Sequence, residues 1–63
     1  MDAYYFAIIY AGLGDTAKAF ERLEKAFQDR SEELLFVKAD PRLDGIRSDV
    51  RYTKLVRRLG LPL

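Results

Sequence analysis

An all-α fold is predicted for this chain, and three observations predict it. Helix-stopping and helix-starting residues recur at short intervals: Gly12 and Gly14 before Asp15, Asp40 before Pro41, and Gly60 before Pro62. Residues 16–30 carry apolar side chains at helical spacing along one face, and residues 52–59 do so again. The stretch between them and the amino terminus, residues 3–13, is rich in alanine and long enough for three turns.

The first helix is expected from Ala3 to Leu13. Its aromatic and β-branched residues would also suit a buried strand, but the glycines that follow settle the matter. Gly12 and Gly14 supply positive-φ termination, and Asp15 then caps the next helix with its carboxylate on free backbone N–H groups. That second helix, from Thr16 to Asp29 or Arg30, places Ala19, Phe20, Leu23, Ala26 and Phe27 on one face and Lys18, Glu21, Arg22, Glu24, Lys25 and Gln28 on the other. Glu21 and Lys25 stand four apart, in the order that favours a pair on the solvated face.

Ser31 is expected to cap a third, shorter helix from Glu32 to Lys38 or Ala39, with acids in its first turn as the helix dipole prefers. Asp40 before Pro41 ends it, because a residue preceding proline is pushed out of the helical region. Pro41 to Arg47 reads as an irregular or single-turn segment anchored by Leu43 and Ile46. Ser48 or Asp49 then caps a fourth helix to about Leu59, with Tyr52, Leu55, Val56 and Leu59 at i, i+3, i+4 and i+7.

The 63 residues carry 11 Lys and Arg against 10 Asp and Glu, with no His, Cys or Trp. Without imidazole or thiol, the usual general bases, cysteine nucleophiles and zinc, haem or iron–sulfur ligand sets are missing. The near-neutral balance exerts no global pull on nucleic acid or anionic membrane. The apolar run from Ala3 to Ala11 has no basic leader and falls well short of the roughly 20 residues a membrane span needs, so neither an export signal nor a span is expected. No linker interrupts residues 1–63, which read as one unit placed in the cytoplasm.

Two features carry functional information. The first is that helix one is apolar on every side. Ala3, Phe6, Ala7, Tyr10 and Leu13 form an arc that helix two is expected to bury. Tyr4, Ile8 and Ala11, with Tyr5 and Ile9 beside them, form the opposite arc. Either the later helices cover that second arc, or a partner helix or second copy of the chain does. A chain of this size has little covering material, which points to the partner. The second feature is charge asymmetry. Residues 1–33 hold seven acids against four bases and residues 34–63 seven bases against three acids, leaving −3 and +4. Arg47, Arg51, Lys54 and Arg58 follow one helical stripe that could meet phosphates, or simply form a solvated face attracted to acids of the same fold.

Ala7, Tyr10, Leu13, Gly14, Asp15, Ala19, Leu23 and Ala26 together resemble the helical hairpin of a tetratricopeptide (TPR) repeat over about residues 1–31. Small residues at 7, 19 and 26 allow close helix approach, while Tyr10 and Leu23 fill the space beside them. Ala7 stands where the repeat usually has glycine, Ala3 where it often has tryptophan, and Ser31 where it often closes with proline. The stretch from Leu34 through Asp44, then Ile46 to Asp49 and Leu55 to Pro62, resembles the carboxy-terminal end of bacterial TPR arrays, with Val50 replacing the usual proline. The resemblance implies a last repeat (1–31) plus its capping helices (32–63). It also implies that Met1, Tyr4, Ile8 and Ala11 line a partner groove, that neighbouring repeats would cover Tyr5 and Ile9, and that Tyr4 and Tyr5 are binding hot spots.

Catalytic candidates are thin. Asp40, Asp44 and Asp49 lack the spacing and glycine of a calcium loop and read as turn and cap residues. Ser31 and Ser48 have no histidine to activate them. The glycines at 12 and 14 follow no strand and form no phosphate cradle. The reading is therefore a non-catalytic interaction module without metal or cofactor. Its partner is a protein or peptide, foremost a second copy in a two-fold dimer, held by Met1, Tyr4, Tyr5, Ile8, Ile9 and Ala11. The alternative is a small basic-helix regulator touching nucleic acid through Arg47, Arg51, Lys54 and Arg58.

Overall fold

The computed structural model describes residues 2–60, and these are all-helical, with no strand among them. Three α-helices, α1 (Ala3–Gly12), α2 (Thr16–Gln28) and α3 (Val50–Arg58), are joined by two 3₁₀ helices, Glu32–Phe36 and Pro41–Ile46. α1 and α2 pack as a hairpin, and the second 3₁₀ helix lies against α1. Alanine makes the hairpin tight, because Ala7, Ala19 and Ala26 are completely buried and let the backbones approach. Tyr4, Phe20, Leu23, Leu34, Val37, Leu43, Ile46, Tyr52, Leu55 and Val56 complete one core drawn from every element.

The α-helices end alike. At the close of α1 the Asp15 N–H donates to the Tyr10 carbonyl (2.9 Å) and the Gly14 N–H to that of Ala11 (3.1 Å), the paired bonds of a Schellman cap, with Gly14 at φ +80°. At the close of α2 the Ser31 N–H donates to Ala26 (2.9 Å) and the Arg30 N–H to Phe27 (3.1 Å), so Arg30 takes the left-handed position at φ 55°. Gly60 does the same after α3, at φ +75°. Gly12, expected to share the positive-φ role at the first turn, is instead the last residue of α1. Asp2, Asp15 and Asp49 cap α1, α2 and α3, accepting from the N–H groups of Tyr4, Lys18 and Arg51.

The expected third α-helix is a 3₁₀ helix that stops at Phe36. Leu34 and Val37 are both buried and stand three residues apart, and Leu43 and Ile46 repeat that spacing in the second 3₁₀ helix. In a 3₁₀ helix, at three residues per turn, residues three apart stand directly above one another, so each pair points the same way into the core. Ser31 makes no side-chain cap; its hydroxyl lies 2.9 Å from Asp2 Oδ2 and 3.0 Å from Glu33 Oε2 and shares its one proton between them, tying the entry of this segment to the start of α1. Lys25 pairs with Asp29 (3.4 Å) rather than with Glu21.

Candidate functional site

The two arcs of α1 are covered differently from expectation. Tyr4 is buried beneath the second 3₁₀ helix, and Ile8 and Ala11 are half-buried against the same core. Residues 41–46, packed on α1, therefore supply part of the cover that was sought from a partner. Tyr4 is not available as a binding hot spot, and Ile8 and Ala11 are only partly so. Met1 lies outside the described residues.

A different stripe stays open. Tyr5 (41% exposed), Ile9 (50%) and Leu13 (74%) follow one another at four-residue intervals, and Phe6 (37%) sits beside them. Phe6 and Leu13 were expected beneath α2, yet both stay exposed although Ala7 between them is completely buried. The stripe runs about 12 Å along α1 at 1.5 Å per residue. Between Asp2 and Asp15, each engaged as a helix cap, the sequence carries no charged residue at all. Glycine at position 12 leaves the surface low beside Leu13, with nothing within 4 Å of where a Cβ would stand. Cations border the face without entering it: the Arg22 guanidinium lies 5.5 Å from the centre of the Phe6 ring, and the Lys18 ammonium 5.5 Å from that of Tyr10.

Tyr5 is held from beneath. Its ring meets the Tyr4 ring edge-to-face at 6.0 Å and 82°. The Tyr4 hydroxyl in turn donates to Asp40 Oδ2 (2.7 Å), a carboxylate that is itself buried at the start of the second 3₁₀ helix. Arg42 grips that carboxylate through Nε (2.9 Å), Nη2 (2.8 Å) and its backbone N–H (3.0 Å), and Arg47 Nη2 donates to the Asp40 carbonyl (2.8 Å). The Arg42 guanidinium, against the cost of burial and with help from Tyr4, holds the Asp40 carboxyl well below the usual carboxylate range. Burial first, and then the anionic acceptor, push the Tyr4 phenol well above its ordinary value. No signal in the sequence linked Tyr4 to Asp40, thirty-six positions away.

The basic stripe is largely spent inside the molecule. Arg47 precedes α3 and folds back, donating to Asp44 Oδ1 (2.7 Å) and to the Tyr52 hydroxyl (2.6 Å). Arg51 forks onto Asp49 (3.0 and 2.9 Å) and covers the Phe20 ring at 4.8 Å. Arg58 donates to both carboxylate oxygens of Glu24 on α2, at 2.8 Å through Nη2, and stacks on Phe27 at 4.2 Å. Lys54 lines a shallow hollow of about 350 Å³ between α2 and α3, floored by Phe20, Leu23 and Leu55. The attraction between acidic and basic halves is thus realised in part within one chain. Asp40, Asp44 and Asp49, the carboxylates considered for a cation, each face an arginine instead.

Elsewhere the adjacent Leu35 and Phe36 are exposed on the first 3₁₀ helix, as is Val50 at the start of α3, a consequence of 3₁₀ winding and of the helix start that sequence periodicity did not reveal. Among the described residues no helix is long and apolar enough to cross a membrane. No protein-family model matches the chain, and no curated protein or solved structure shows significant similarity to it.

Proposed function

We propose that this chain is a non-catalytic protein–protein interaction module, built like the last repeat and cap of a TPR array, that docks a protein or peptide on the exposed stripe of α1. One observation carries the reading: Tyr5, Phe6, Ile9 and Leu13 remain open along a segment that is apolar throughout, while Tyr4 and Ala7 are buried and Ile8 and Ala11 half-buried within the chain itself. The completely buried alanines at 7, 19 and 26 support the repeat-like hairpin. Tyr5 and Ile9, the residues that the resemblance assigns to a neighbouring repeat, are among those left uncovered. Tyr5 suits an anchoring role because Tyr4 and Asp40 fix its neighbourhood before any partner arrives, which lowers the entropic cost of binding.

The nucleic-acid alternative has weaker support, since Arg47, Arg51 and Arg58 already answer carboxylates within the chain. The docking reading is tested by selecting displayed random peptides on the immobilised chain and on its Ile9→Glu variant. Enriched apolar sequences that bind the parent and lose about tenfold or more in affinity on the variant are expected, equivalent to a hot-spot contact. A parent that is monomeric and selects no peptide would sink it.

A further inference from the structure

We infer that the occupant of this stripe is an amphipathic helical peptide whose apolar face is flanked on one side by carboxylates, which Lys18 and Arg22 receive. The inference rests on the docking reading above and names its partner. Charge comes first. Lys25, Arg42, Arg47, Arg51 and Arg58 each answer a carboxylate within the chain. Lys18 and Arg22 answer none among the described residues, and both stand at the border of the stripe. Arg22 lies over Phe6 and Lys18 over Tyr10, each at 5.5 Å, so the two cations form a row along the α2 margin of α1. A ring face satisfies such a charge only in part and takes up few of its hydrogen-bond donors, which stay available to an anion. The acids nearby are occupied elsewhere or face away. Glu21 and Glu24 line the hollow between α2 and α3, where Arg58 holds Glu24. Asp2 and Asp15, at the two ends of the stripe, accept from the N–H groups of Tyr4 and Lys18.

An uncharged stripe with two unanswered cations along one edge is complementary to an apolar surface with acids along one edge. It is not complementary to itself, because a second copy would bring the same cations to the border. The exposed fractions of Tyr5, Phe6, Ile9 and Leu13 leave on the order of 400 Å² of apolar surface, enough for a weak, transient complex with a short peptide. The helical form follows from the backbone. α1 satisfies its own N–H and C=O groups, so an extended strand laid along it would find no backbone partners, whereas a helix arrives with its own already paired. Tyr5, Ile9 and Leu13 form the four-residue ridge against which the rows of a second helix pack, and the low surface at Gly12 lets that helix come close. Lys18 and Arg22 are spaced by about 6 Å along α2, roughly one turn, so carboxylates three or four positions apart on the partner reach both.

The test uses two fluorescent, helix-stapled peptides of about 14 residues that share one leucine face and differ only in carrying glutamates or lysines along one flank of it. By anisotropy, the acidic peptide is expected to bind the parent about tenfold or more tighter than the basic one at low salt, with the gap narrowing at about 0.5 M salt. Ile9→Gln, which adds no charge, should weaken the acidic peptide by about tenfold. The double variant Lys18→Glu, Arg22→Glu should keep the far-UV helix signal and reverse the preference, and its capture of the basic peptide would show that the stripe itself is intact. Equal binding of the two peptides by the parent, or an unreversed preference in the double variant, overturns the acidic partner. So does acidic binding that survives Ile9→Gln, which would place it off the stripe. A parent whose mass rises with concentration in sedimentation equilibrium, while Ile9→Gln stays at one chain, overturns it in favour of a second copy. If neither peptide binds, the displayed-peptide selection separates the two failures. Ile9-dependent sequences without an acidic flank overturn this inference and leave the docking reading standing, acid-flanked ones support it, and no selected sequence at all overturns both.

Discussion

Tyr4 and Asp40 form the polar contact on which the shape of the exposed surface depends. Because Asp40 is held as an anion by Arg42, its folded-state pKa lies below the ordinary value near 3.9. A depressed acid contributes stability that is complete above that ordinary value and lost as pH falls below it towards the folded-state value. Denaturant titrations of the parent should therefore show stability falling below about pH 5, and Asp40→Asn should flatten part of that fall. Asp49, lowered to about 2 by the Arg51 guanidinium, and Glu24, lowered by Arg58, account for more of it. Tyr4 acts at the other end of the scale. Its raised pKa means stability is complete below about pH 10 and lost as pH climbs above it. Tyr4→Phe removes a hydrogen bond to a charged acceptor and should cost about 2 kcal/mol at neutral pH. The difference between parent and Tyr4→Phe in an absorbance titration isolates this phenol, which is expected to ionise only above the ordinary tyrosine range. Ordinary titration of Tyr4 would refute the buried pairing.

At the scale of elements, the caps make a comparison with opposite signs. Gly14 and Arg30 occupy the same left-handed position after α1 and α2, and neither environment limits the outcome, since Arg30 is exposed and a Cβ at Gly14 would meet nothing within 4 Å. Only backbone preference differs. Gly14→Ala should cost about 1 kcal/mol and Arg30→Gly should gain about 0.5 kcal/mol, read from denaturant midpoints with unchanged slope. Equal losses in both variants would mean that the caps are not the controlling geometry. The ends of these helices were legible in the sequence to within a residue or two: Asp15 and Gly60 were read directly, while Gly12 or Gly14 and Ser48 or Asp49 were left to the structure, which uses Gly14 and Asp49. α2 and α3 were legible because apolar and charged residues separate cleanly around them. The winding of residues 32–46 was less so. Leu34, Leu35, Phe36 and Val37 suit one turn of either helix type, because residues three apart share a face in both, so the 3₁₀ winding had no signature in the spacing. α1 hid its working face for the opposite reason. With apolar residues all round, periodicity carries no orientation, and which arc stays open is decided by where residues 41–46 fold, a long-range event with no local signature.

The whole molecule is one cooperative unit only if that return segment is integral to it. A 63-residue chain is worth on the order of 3–9 kcal/mol in total, and no disulfide supplements it. Leu43 is fully buried in the second 3₁₀ helix, which lies against α1, so its truncation both empties core volume and loosens the cover of Tyr4 and Ile8. Leu43→Ala should cost about 3 kcal/mol, a large share of the whole. Far-UV circular dichroism and tyrosine fluorescence are expected to follow one coincident thermal transition, shifted well down, because α1 without its cover would present a second apolar arc to water and α2 alone cannot seal it. Two separated transitions would show instead that residues 1–31 hold together without the segments that follow. The apolar surface available for association would then be both arcs of α1, and the narrow stripe through Ile9 would lose its claim to be the specific one.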